Sequence, residues 1–267
     1  MTIFVEKALF REGILKPGPF TDGYDLRCYE PSDELKPFVE HYFISRRREQ
    51  YDADYVGNDV LSQPVVTLFF KPEGAYFEGP TTGSRTLVAK ESPIYAGAQF
   101  KPGGFYPFWK QRVCDLTEHR LPADSVLPTV DASFARTLLA QPENMYILAD
   151  IDALLQAALP HPDTTVELLN SIIAFIEDSG GAISVSAVAT KFDLSERMLQ
   201  HLFQTYIGVG VKWTIMRARF LEVIKHARQQ EKPDWTAIAA EFGYTDQSHF
   251  INDFKRLVGQ SPHKYMR

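Results

Sequence analysis

Two groups of side chains in the last third of the chain have the chemistry to read a nucleic acid. The first is Arg197, Gln200, His201 and Gln204, at spacings of three, one and three that bring all four to one side of a helix. The second is Gln247, Ser248, His249 and Asn252, followed by Lys255 and Arg256. Arginine pairs with guanine, and glutamine or asparagine with adenine, at about 1–3 kcal/mol per bidentate pair. Lysine and arginine on phosphate hold the backbone without reading sequence. A solvated helix face has the same polar make-up, so residue type alone does not decide between contact and solvation.

The elements behind these residues narrow the choice. Leu199, Leu202, Phe203 and Tyr206 form an apolar stripe on the side away from Arg197, Gln200, His201 and Gln204. Phe250, Phe254 and Leu257 do the same downstream, leaving Ser248, His249, Asn252, Lys255 and Arg256 outward. Each stripe follows a shorter helix, marked by Val188, Ala189 and Phe192 and again by Ile238, Ala239 and Phe242. Gly243 breaks the second of these, and Ser195 and Asp246 stand where the following helices need caps. Gly208 mirrors Gly259, and Pro262 lies beyond. The two units repeat at an offset of 50 residues in the first helix and 51 in the second, so the extra residue falls in the turn. Short helix, turn and longer helix make a helix-turn-helix, here expected over about 185–208 and 235–259. Between them Val211–Ala227 has no glycine or proline and keeps Ile215, Phe220, Val223 and Ile224 for burial. Such a helix is a rigid spacer of roughly 26 Å.

The residues Ile238-Ala239, Gly243-Tyr244, Asp246 to Phe250, Phe254-Lys255-Arg256, Gly259 and Ser261-Pro262 resemble the second helix-turn-helix of the AraC/XylS family of bacterial transcription regulators. The resemblance implies a connector that sets two recognition helices in successive major grooves on one face of DNA. It places Arg197, Gln200, His201 and Gln204 on the base-contacting face. Arg219-Phe220 matches an arginine-hydrophobe pair carried by the family, and Arg219 is read as pairing within the helical domain. Near the start of the second recognition helix, Gln247, Ser248, His249 and Asn252 are the base-side candidates. Asn252 stands where many relatives carry arginine, and Asp253 repels phosphate, so the second half-site is expected to be held less tightly.

Charge distribution agrees with this division. The chain has 267 residues and a net charge of −6. Residues 1–163 carry 16 cationic against 23 acidic side chains, or −7, whereas from Ser184 onward the count is 12 against 8, or +4. An acidic domain of residues 1–163 is therefore expected beside a mildly basic reader of residues 164–267, whose phosphate term is modest. His161-Pro162-Asp163 marks the boundary. There is no apolar run near 18 residues and no signal-peptide layout at the N-terminus, and two cysteines suit a reducing cytoplasm. No membrane partner is expected.

Residues 1–128 have the short apolar runs of a β-rich unit: Val60–Phe70, Ala75–Glu78, Arg85–Ala89 and Ile94–Phe100, separated by glycine and proline turns. They predict a small barrel or sandwich, α+β with the helices that follow. Pro31–Phe43 reads as one amphipathic helix presenting Leu35, Phe38, Val39 and Tyr42, and residues 129–163 as helices broken near Gln141-Pro142. Pro31 to Glu40 and Gly97 to Gly104 are similar to a degenerate barrel found ahead of some AraC-type readers; such domains sense a small molecule, dimerise, or both. Tyr76, Tyr95, Phe100, Phe105 and Trp109 could line an effector pocket, although aromatic runs in a small β domain more often fill its core. His41, His119 and His161 are scattered, without metal-ligand spacing. Cys114 lies near arginines that could activate it but reads as an inert thiol, and Arg46-Arg47-Arg48 reads as a solvated loop. The expectation is a cytoplasmic, ligand-responsive transcription activator, homodimeric, with promoter DNA and RNA polymerase as partners, no enzyme, no cofactor and no metal. The alternative is a DNA-bound regulator whose N-terminal domain makes protein contacts only.

Overall fold

The computed structural model describes residues 6–7, 24–48, 59–86 and 93–265. The 87–89 end of the expected Arg85–Ala89 strand and most of the N-terminal segment lie outside the described residues. The chain is α+β. Its first part is an antiparallel sheet of β1 (Glu6–Lys7), β2 (Tyr24–Tyr29), β3 (Val39–Arg47), β5 (Thr67–Lys71), β6 (Gly74–Glu78), β8 (Ile94–Phe100) and β9 (Arg120–Pro122). Their order is β1-β2-β3-β8-β5-β6-β9. A separate ribbon pairs β4 (Asp59–Leu61) with β7 (Ser84–Thr86).

Registers such as Leu68↔Phe77, Leu68↔Ala98 and Tyr42↔Ala98 set alternate residues on one face. Tyr42, Ile44, Leu68, Phe70, Phe77, Ala96, Ala98 and Phe100 are buried there, beneath α2 (Ala132–Leu139) and α3 (Asn144–Ala157), while the short α1 (Tyr106–Trp109) follows β8. The break between those helices falls at Gln141-Pro142, as the sequence suggests. Asp152 of α3 ties the layers together: its buried carboxylate accepts hydrogen bonds from Tyr42 Oη at 2.7 Å and from the Ser32 amide at 3.0 Å.

Two expectations are corrected here. Pro31–Phe43 is not one helix: residues 33–38 form a turn, and the chain then extends as β3. Pro37 has no amide proton to continue a helix, and the Val39-to-Ile44 run, rich in β-branched and aromatic residues, suits a pleated strand. Leu35, Phe38, Val39 and Tyr42 are all buried nonetheless. Arg46 and Arg47 belong to β3 rather than to a loop, and Arg46 Nε donates to Asn144 Oδ1 at 3.2 Å.

The second part is all helical. Asp163 caps α4 (Thr164–Asp178), accepting from the Thr165 amide. Gly180 and Gly181 end it with φ of 57° and 70°. Then come α5 (Val185–Lys191), α6 (Glu196–Leu202), α7 (Val211–Arg228), α8 (Trp235–Glu241), α9 (Gln247–Val258) and α10 (Pro262–Tyr265). One cluster packs Leu169, Ile172, Ile176, Val188, Leu199 and Phe203 against Ile215 and Ala218 of α7. The other packs Ile238, Phe250, Phe254 and Leu257 against Phe220 and Ile224. The connector therefore supplies part of both cores, which is what makes it a spacer rather than a tether.

Candidate nucleic-acid interface

Each helix-turn-helix is built by the local signals the sequence carries. Ser195 Oγ accepts from the Met198 amide at 3.1 Å and starts α6; the Asp246 carboxylate accepts from the Ser248 amide at 2.9 Å and starts α9. Gly208 at φ 91° and Gly259 at φ 79° occupy the left-handed backbone that ends each recognition helix. In the first unit the equivalence is imperfect, because Phe203–Ile207 widens into a π-turn before Gly208.

Arg197, Gln200 and His201 are exposed along α6, and Gln204 is half-buried in the π-turn. Gln247, Ser248, His249 and Asn252 are exposed on the first two turns of α9, with Lys255 and Arg256 exposed beyond them. Two bases of this second group are already engaged. His249 Nε2 and Arg256 Nη2 lie 3.3 Å from the two oxygens of Asp253, and Arg256 Nη2 also reaches Met216 Sδ at 2.9 Å. Asp253 further accepts from Tyr244 Oη at 3.2 Å, so its repulsion toward phosphate is partly neutralised inside the protein. Burial, and next the nearby Asp253 carboxylate, push the Tyr244 hydroxyl up to about 12.

Sequence reasoning passed over Met198, which stands 48% exposed beside Arg197 on α6. Such an apolar side chain on a reading face suits a thymine methyl. Only its position next to the outward Arg197, off the stripe of Leu199, Leu202 and Phe203, could have pointed to it, since its type suggests burial. Arg219 donates through Nε and Nη2 to the Gly181 carbonyl at 3.1 and 2.8 Å, the intradomain role expected of it.

The aromatic candidates of the sheet divide between its faces. Phe100 and Phe105 are fully buried among Phe77 and Phe108, with Trp109 stacked on Phe105 at 5.7 Å. Tyr76 and Tyr95 lie on the opposite face beside Phe69, at 5.6 and 6.3 Å, where Phe43 and His41 join them. Ser45 Oγ is buried on that face and finds no hydrogen-bond partner among the described residues. Burial first, then the Asp115 carboxylate, raises the Cys114 thiol, outweighing the effect of Arg112. His119 and His161 are exposed and His41 is buried in β3. Among the described residues no three His, Cys, Asp or Glu side chains converge to hold a metal, and no helix is long and apolar enough to cross a membrane.

Residues 188–267 match a family described as a helix-turn-helix domain, and residues 27–122 match a domain of unknown function, DUF6597. No curated protein is similar enough to count as a relative. Two crystal structures of ToxT from Vibrio cholerae are similar. An apo variant from strain SCE256 is 9% identical, covers 91% of this chain and 97% of its own, and gives a TM-score of 0.40. ToxT from strain O395 is 11% identical, with 92% and 97% coverage and a TM-score of 0.37.

Proposed function

We infer that this chain is a DNA-binding transcription regulator of AraC/XylS type, a reading supported by its helix-turn-helix match over 188–267 and by the residues that resemble that family. Both recognition helices enter the major groove, α6 with Arg197, Gln200, His201 and Gln204, α9 with Gln247, Ser248, His249 and Asn252. Lys255 and Arg256 hold phosphate. One observation carries this reading: two mirrored helices expose polar faces while a single connector shares both of their cores. The α6 half-site is the tighter one, because Arg197 is exposed with no ion pair among the described residues, whereas Arg256 is paired with Asp253 and His249 lies 3.3 Å from the same carboxylate.

Residues 1–163 form the effector and dimerisation domain and residues 164–267 the reader, working in the cytoplasm on promoter DNA and RNA polymerase as an activator. The effector sits on the sheet face of Phe43, Phe69, Tyr76 and Tyr95, where the Ser45 hydroxyl awaits a hydrogen bond. Phe100, Phe105 and Trp109 fill the core behind it. Homodimers form through the N-terminal domain, where Met145 and Tyr146 stand exposed at the start of α3.

The test is selection of duplexes from a randomised pool by the full chain, followed by binding of Arg197→Ala and Gln200→Ala to the selected duplex. Each loses about 1–3 kcal/mol on that duplex and little on scrambled DNA. Equal affinity of both variants and the parent for the selected duplex would overturn the assignment.

A further inference from the structure

One continuous patch of the N-terminal domain touches the same point on both readers. Residues 79–84 and 113–119 are stitched to each other. The Gly79 amide donates to the His119 carbonyl at 3.0 Å, and the Glu118 amide to the Pro80 carbonyl at 2.9 Å. Glu118 Oε1 in turn accepts from the Thr82 amide at 2.6 Å and from Thr82 Oγ1 at 2.8 Å. These bonds hold Glu118 at φ 63°, a left-handed backbone that a non-glycine residue adopts only when its surroundings impose it.

At one end of this saddle lies the first reader. Thr117 Oγ1 donates to the Gly208 carbonyl at 2.8 Å, and the Tyr106 ring lies tilted by 36° against Tyr206 with ring centroids 4.0 Å apart. A Cβ on Gly208 would stand 2.9 Å from Thr117 Oγ1 and from the Val113 carbonyl. At the other end lies the second reader. A Cβ on Gly259 would stand 2.5 Å from Ser84 Oγ, and Gly83 faces the Arg256 carbonyl. Gly208 and Gly259 are equivalent positions of the repeat. Between them the connector is held as well: Trp213 Nε1 donates to the Thr82 carbonyl at 2.8 Å, and the buried Arg217 Nε to the Ser62 carbonyl at 2.7 Å. Leu61, from β4 of the ribbon, is buried in the second reader's own core with Phe220, Phe254 and Leu257.

We propose that this saddle fixes the distance and angle between the two recognition helices, so that residues of the N-terminal domain decide which half-site spacing the protein accepts. The proposal rests on the DNA-reading function above. A duplex that gains one base pair between half-sites displaces the second by about 3.4 Å and turns it by about 34°. A connector helix held only by the two reader cores keeps their separation but can still curve or twist along its length. A connector clamped at both ends and in the middle resists both. Leu61, Thr117 and Trp213 are thus positioning residues that touch no base.

The experiment passes a pool of duplexes, with two randomised segments separated by spacers of graded length, over the full chain and over Leu61→Ala, Trp213→Phe and Thr117→Val. Bound duplexes are sequenced. The parent is expected to enrich one pair of half-site motifs at one spacing. The variants are expected to enrich the same two motifs across neighbouring spacings, with about a tenfold smaller preference for the parent's spacing. Thr117→Val deletes a hydrogen bond at little change of shape, and Trp213→Phe deletes one while keeping an aromatic ring, so they decide the outcome if Leu61→Ala unfolds the second reader. Unchanged spacing preference in both would overturn the proposal while leaving the DNA-reading function standing. Failure of the parent to enrich any motif would overturn that function itself.

Discussion

At the scale of single residues, the reading faces contain two kinds of side chain with separable signatures. In the proposed reading Lys255, exposed on the third turn of α9 beyond Gln247, Ser248, His249 and Asn252, acts on phosphate. Lys255→Ala should therefore weaken binding to selected and scrambled duplexes alike and lower the slope of log affinity against log salt by about one unit. Gln247→Ala should instead relax base preference at the second half-site, so equal losses on both duplexes for both variants would mean that α9 rests on phosphate alone. Tyr244 gives a second handle. Its hydroxyl is pushed up to about 12 by burial and by Asp253, against an ordinary value near 10. Above pH 10 the unfolded chain ionises this group before the folded one does. The stabilisation is complete below pH 10 and is lost as pH rises toward 12. Thermal unfolding followed by circular dichroism from pH 9 to 11.5 should show a steeper loss of midpoint for the parent than for Tyr244→Phe; parallel curves would contradict the linkage.

At the scale of elements, the turns and caps explain how much of the molecule the sequence discloses. The readers were legible because their signals are local: Ser195, Asp246, Gly243 and Gly259 each act within one turn of the chain. The β3 segment misled because Leu35, Phe38, Val39 and Tyr42 have helical spacing yet reach the core from a turn followed by a strand. Arg197, Gln200, His201, Gln247, Ser248, His249 and Asn252 are exposed as their spacing suggests, but the π-turn that half-buries Gln204 has no sequence signature. The ribbon was the least legible part, since the burial of Leu61 depends on helices more than 150 residues later. Gly259 connects the two kinds of information. Gly259→Ala meets both an unfavourable left-handed backbone and Ser84 Oγ, whereas Gly243→Ala, at φ 81°, meets open space. The backbone term costs about 1 kcal/mol in either case. Denaturant unfolding should thus show a larger loss for Gly259→Ala, partly restored by Ser84→Gly, and an equal loss at the two positions would contradict the close approach.

At the scale of the whole molecule, the sheet-bearing part is fastened across both readers by the saddle, and the proposed dimer uses Met145 and Tyr146, which stand exposed at the start of α3. Light scattering of the full chain at high concentration should give twice the chain mass, while a monomer with and without DNA would remove the dimer from the account. The central claim is that two recognition helices, held by one connector, read adjacent major grooves on one face of DNA. Dimethyl sulfate protection of guanine N7, on a duplex selected by the full chain, tests it most directly, because that atom lies in the major groove where the two helices would sit. The account predicts two protected clusters whose centres lie about one helical turn, roughly 10–10.5 base pairs, apart. Arg197→Ala should erase protection in one cluster and leave the other. A single cluster, or protection that does not depend on Arg197, would contradict it.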